Sequence, residues 1–247
     1  MNLKNVTITG ADDDIDPQDL VALSQEYPFV EWGILASKSR EGSPRYPSVF
    51  WMTHFFRFAK NRFLDEKVLT SIHVCGSWVR SVLQGQMEFG HILKDLGIFD
   101  RVQLNFHGDL PQIDEKGFIN ILRSIVFSGR QIIFQWNGMD NTLLDLAHAH
   151  GIKVSALYDI SGGTGRSSSV WPNLPSGVYS GRAGGLGPDN LRETLCAWDR
   201  TIPGDTDIWI DLETKARTDD KFDLKKVRAC LEIAKEFKGR VEGSHGR

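Results

Sequence analysis

Asp159 closes an apolar strand, and the chain then reads Gly162-Gly163-Thr164-Gly165. Some twenty residues on, Ala183-Gly184-Gly185-Leu186-Gly187-Pro188-Asp189-Asn190 places a second glycine pair at the start of a helix. Glycines without a Cβ let backbone N–H groups approach an anion, and a helix N-terminus aims its dipole at the same place. The chemistry on offer is a phosphate cradle beside an acid/base carboxylate. Each half has a plainer reading. The glycines also suit tight turns, and the aspartate also suits a side chain that holds its own loop.

The elements that position these residues alternate along the chain. Strands are expected at 5–9, 30–35, 70–75, 101–106, 131–135, 154–159, 177–183 and 207–211. Amphipathic helices separate most of them. One starts at Asp16-Pro17, with Asp16 as N-cap and Pro17 in the first turn. Others are expected near Ser77, over 115–127 with Phe118, Ile121, Leu122 and Ile125 at helical spacing, ending at His150-Gly151, and over 224–237. Strand–helix alternation predicts a parallel sheet with helices outside. Eight such units in 247 residues predict one (β/α)8 barrel, a fold of about 250 residues, spanning 1–240 with a polar tail at 241–247.

In such a barrel the loops after the strands build the active site. That topology alone selects Thr9 with Asp12 to Asp14; Lys38, Arg40 and Arg45; Cys75; Asn105, His107 and Asp109; Gln135 and Asn137; Asp159; Arg182; and Asp211, Glu213 and Lys215. A guanidinium such as Arg45 suits a substrate carboxylate. Cys75 is a candidate base or a small core thiol. Lys38 and Lys215 are candidate Schiff-base amines. His73, His107, Asp159 and Asp211 offer no local pair at metal-ligand spacing, so no metal is expected, and no motif calls for a cofactor.

Composition narrows the partners. Apolar residues make up 40% of the chain, charged residues 25%, and the net charge is -3, so no nucleic-acid or membrane surface is expected. No apolar run approaches the roughly 20 residues of a membrane span. Three scattered cysteines fit neither a disulfide framework nor a zinc site, and a reducing cytoplasm is expected. The expected partner is a phosphorylated small molecule, bound by a monomer or homodimer.

At these residues the chain resembles the phosphoribosylanthranilate isomerases. That family carries Leu-Leu-Asp before a Gly-Gly-Ser/Thr-Gly loop, where this chain has Leu157-Tyr158-Asp159 and Gly162 to Gly165. It carries Ala-Gly-Gly-Leu-x-Pro-Glu/Asp-Asn, which Ala183 to Asn190 matches, and a basic Ser-x-Arg-Tyr, which Ser43-Pro44-Arg45-Tyr46 matches. Gln-Leu-His-Gly after strand four is similar to Gln103 to Gly108 with two residues inserted. The resemblance implies a ribulose-phosphate-binding barrel that performs an Amadori rearrangement of an aldose amine to a 1-amino-1-deoxyketose phosphate. It casts Asp159 as general acid and Arg45 as holder of the anthranilate carboxylate. His107, Asp211 and the glycines Gly162, Gly163, Gly165, Gly184 and Gly185, with Thr164, would bind substrate. The family's base is a cysteine on strand one, where this chain has Thr9, so Thr9 and Cys75 are the candidates for that part. After strand eight the family has Asp-Val-Ser-Ser-Gly, where this chain reads Asp211-Leu212-Glu213-Thr214-Lys215.

Overall fold

The computed structural model describes residues 1–61, 64–95, 99–106, 112–136, 140–159, 171–173, 175 and 177–238. Eight parallel strands close into a barrel in sequence order: β1 (Asn2–Thr9), β2 (Val30–Ala36), β3 (Leu69–Val74), β4 (Arg101–Leu104), β5 (Gln131–Trp136), β6 (Val154–Tyr158), β7 (Ser180–Ala183) and β8 (Asp207–Leu212). β8 pairs with β1, so no edge remains. The expected (β/α)8 architecture is present.

The helices are α1 (Pro17–Glu26), α2 (Val49–Ala59), α3 (Ser77–Leu83), α4 (Gly90–Asp95), α5 (Glu115–Phe127), α6 (Thr142–Ala149), α7 (Leu191–Thr201) and α8 (Leu224–Lys235). Asp16 caps α1 as its sequence predicts, accepting from the Gln18 N–H at 2.9 Å. α5 covers the predicted range and buries its four predicted apolar positions.

Three features differ from the sequence expectation. Two helices, α3 and α4, follow β3. β4 and β7 are shorter than their apolar runs, although Asn105 N–H still reaches the Val74 carbonyl at 3.1 Å. After β8 a 3-10 turn (Thr214–Ala216) leads into a two-stranded hairpin, β9 (Arg217–Thr218) and β10 (Lys221–Phe222). His107, Gly162, Gly163, Thr164, Gly165 and the tail at 241–247 lie outside the described residues.

Strand alternation divides the side chains sharply. Outward positions such as Val6, Ile8, Trp32, Ile34, Ile72, Val74, Val102, Leu104, Phe134, Ile208 and Ile210 join the core beneath the helices. A separate small cluster of Ile133, Leu157, Ala183 and Trp209 fills part of the interior. The rest of the interior is polar and must be paired. Arg101 donates to both Glu31 oxygens, at 2.6 and 2.7 Å, and lies over the Trp209 ring at 4.6 Å. Thr7 donates to Glu31 at 3.1 Å. These groups make a charged plug below the mouth.

Candidate active site at the mouth of the barrel

A cavity of about 290 Å³ opens at the C-terminal ends of the strands. Topology-selected residues that line it are Arg40, Arg45, Cys75, Asn105, Gln135, Asp159, Asp211, Glu213 and Lys215, together with Gly184 and Gly185. Leu35, Tyr46, His73, Gln103, Leu157, Ala183, Leu186, Thr214 and Asp220 complete it. Among the described residues, Thr9, Asp12 to Asp14, Lys38 and Arg182 are not in its wall, and Asp109 and Asn137 lie outside the described residues. Lys38 pairs at 3.2 Å with Glu88 on the surface and is not part of the wall. Arg182 follows inward-facing Gly181 and therefore points outward, against Trp198 and Trp171.

Thr9 also stands apart from the wall. Its side chain is buried, and its hydroxyl donates to Asp211 Oδ1 at 2.7 Å. The hydroxyl expected to stand in for the base thus spends its proton on a buried carboxyl. Gly33, on the neighbouring β2, makes room for this contact: a methyl there would overlap Thr9 Oγ1 and crowd the His73 ring. Burial pushes the Asp211 carboxyl well above the usual carboxylate range; the Thr9 hydrogen bond opposes this, and the negative charges of Glu213, Asp159 and Glu31 add to it.

Cys75 is at the wall, where it accepts from Asn105 Nδ2 at 3.3 Å. Burial pushes its thiol up to about 12, which works against a base role. Burial likewise holds His73 down to about 3, and the neutral ring contacts Ser71 at 3.0 Å and Gln103 at 3.3 Å. Asp159, one residue beyond β6, accepts from Gln135 Nε2 at 2.9 Å.

Arg45 is where the motif puts it, yet its guanidinium is engaged. It donates to Glu213 at 2.9 Å and Thr214 at 3.2 Å, and pairs with Asp220 at 2.8 Å. Its backbone is left-handed, with φ 74, a conformation that costs a residue with a Cβ roughly 1–2 kcal/mol. That geometry is held by Arg45 N–H donating to Asp12 Oδ2 at 2.7 Å, and Asp12 is itself paired with buried Arg217 at 2.9 Å. The acidic run after β1 therefore ties the loop after β2 to the hairpin after β8. Glu213 sits above its ordinary range because of burial, with Arg45 working against the shift. Arg217 and Asp220 escape a sequence reading, since strands of two residues leave no periodic signal.

Gly184 and Gly185 have φ of 119 and 64, which a residue with a side chain rarely adopts. They run into α7, whose approach is fixed by Asn190: its side chain accepts from Gly187 N–H at 2.9 Å and donates to the Gly185 carbonyl at 2.8 Å. Lys215 packs over Gly187. Among the described residues no group of three His, Cys, Asp or Glu side chains could hold a metal ion. None of the described helices is long and apolar enough to cross a membrane.

Fold and site together define a (β/α)8 barrel with a polar, carboxylate-rich mouth. Solved structures with this fold include phosphoribosylanthranilate isomerase from Thermus thermophilus, at 15% identity over 95% of this chain and all of that one, with a TM-score of 0.57. A phosphoribosylanthranilate isomerase in complex with reduced 1-(o-carboxyphenylamino)-1-deoxyribulose 5-phosphate is 18% identical over 96% of this chain and 100% of that chain, with a TM-score of 0.53. The YdjI aldolase of Escherichia coli K12 also matches, at 12% identity over 94% of this chain and 88% of that one, with a TM-score of 0.51. The chain thus has the barrel architecture of phosphoribosylanthranilate isomerases. No family model matches it, and no curated protein does.

Proposed function

We propose that the protein is an isomerase of the Amadori type, acting on a phosphorylated, carboxylate-bearing sugar derivative as a monomer or homodimer in the cytoplasm. The observation that carries this reading is the convergence of Asp159, Asp211, Arg45 and the Gly184-Gly185 turn on one cavity. The reaction needs one group to protonate the ring oxygen of the sugar and another to take the C2 proton. The resemblance gives Asp159 the acid's part; Asp211 is a second carboxyl at the wall, available for the other proton transfer. Gly184, Gly185 and the start of α7 offer backbone donors to a phosphate, with Lys215 beside them. Arg45 takes the substrate carboxylate by exchanging one acidic partner for another.

The engagement of Arg45 by Glu213 and Asp220 favours a second reading, a phospho-ligand-binding barrel without turnover. Isothermal titration with the reduced deoxyribulose phosphate analogue, beside inorganic phosphate, separates them. The isomerase reading expects the analogue to bind far more tightly than phosphate, and Arg45→Ala to remove most of that difference. Equal, weak binding of both would leave only the anion-binding barrel, and no binding of either would reject both readings.

A further inference from the structure

Four carboxyl groups line the cavity, Asp159, Asp211, Glu213 and Asp220; the last is exposed and paired with Arg45 and Arg217. Carboxyl groups that share a site and raise one another's proton affinity do not all ionise together, so the proton settles where compensation is weakest. Glu213 has Arg45 at 2.9 Å. Asp159 accepts from an amide donor, Gln135 Nε2, at 2.9 Å. Asp211 has neither. It is 7% exposed, and its hydrogen-bond partner among the described residues is the neutral Thr9 hydroxyl on Oδ1. The other carboxyl oxygen is left to carry a proton. Burial acts on Asp211 in the same direction.

We propose that the two aspartates divide the proton transfers in the opposite sense to the family resemblance: Asp211 is the proton donor to the ring oxygen, and Asp159 accepts the C2 proton. The assignment rests on the isomerase reading. Asp211 gives its proton to the ring oxygen as the C1–O bond breaks, and the nitrogen lone pair forms the C1=N iminium. Asp159 then takes the C2 proton. The C2–H pair becomes the C1=C2 bond, and the iminium pair returns to nitrogen. Asp159 delivers its proton to C1 while the enol hydroxyl gives its own to Asp211, so both groups are restored. Thr9 is a positioning residue that holds the Asp211 carboxyl and moderates its proton affinity.

The test uses the full chain with aspartate labelled by 13C at Cγ, titrated by NMR, beside the pH profile of kcat/KM for phosphoribosylanthranilate. The expected spectrum at pH 7 contains a protonated carboxyl that is lost in Asp211→Asn and kept in Asp159→Asn. Each substitution is expected to lower kcat by about 10²–10⁴-fold. Asp159 must be ionised and sets the acid limb; Asp211 must be protonated and sets the alkaline limb. Thr9→Val removes a donor to the anion, so it moves the Asp211 titration and the alkaline limb to higher pH; Thr9→Ser leaves both in place. A protonated resonance that disappears in Asp159→Asn instead, or a shift of the acid limb in Thr9→Val, would overturn the assignment while leaving the isomerase reading intact. A wild-type protein without turnover would remove that reading and the assignment with it.

Discussion

Asp211, His73 and Glu31 sit within one barrel, yet their protons pull stability in different directions. Asp211 keeps its proton in the folded state above the roughly 3.9 of an unfolded aspartate. Folding therefore loses stability as pH rises from about 4 through the folded value. Asparagine carries no such penalty, so the thermal stability of Asp211→Asn relative to the parent should widen in its favour between pH 5 and pH 8. A constant difference across that range would mean that Asp211 ionises normally. His73 behaves the other way. Its folded value of about 3 lies below the roughly 6.5 of an unfolded histidine, so its stability is complete above 6.5 and lost as pH falls toward 3. Glu31 is pushed up by burial, but the Arg101 charge and hydrogen bonds outweigh this and hold it below the ordinary range. Arg101→Met would strand that carboxylate, at a cost of about 3–5 kcal/mol in urea unfolding. A loss under 1 kcal/mol would show that Glu31 simply takes up a proton. The sequence made the types of these groups visible but not their pairing. Glu31 and Arg101 are 70 residues apart, and only the closure of β2, β3 and β4 brings them together.

At the scale of elements, β7 is where packing is least forgiving. Gly181 faces inward, and a methyl there would overlap the Trp209 indole, over which Arg101 lies. Gly181→Ala should cost about 1–3 kcal/mol, since a filled core accepts added carbon only by displacing its neighbours. An unchanged urea midpoint would mean that Trp209 has room to move. One residue on, Arg182 turns outward. Its guanidinium sits 4.8 Å from the Trp198 ring and 5.5 Å from Trp171, donates to the Pro172 carbonyl, and among the described residues pairs with no carboxylate. Burial lowers it to about 10. The alternation of β7 explains why a residue expected at the mouth is found behind it. The loops after β2 and β8 follow another rule. Ser43 to Tyr46 could be recognised from its motif, but the Arg45 clamp depends on Asp12, Arg217 and Asp220, which come from separate elements.

Across the whole molecule, the alternating apolar runs made the barrel readable, because each outward strand face must meet a helix. Closure then put Asp159, Arg45, Cys75, Asp211 and the Gly184-Gly185 pair at one end, as topology requires. It could not say which of them would face the cavity with a proton to exchange. That depends on burial, which raises the Cys75 thiol and leaves the buried Thr9 bonded to Asp211. The proposed function is an aldose–ketose isomerisation at this mouth. The most direct measurement is the conversion of phosphoribosylanthranilate, generated in place from its precursors and followed by the fluorescence of its anthranilate ring. Turnover by the parent protein, with a loss of about 10²–10⁴-fold in both Asp159→Asn and Asp211→Asn, is the expected result. No conversion above the uncatalysed rate, or conversion that survives both substitutions, would contradict it.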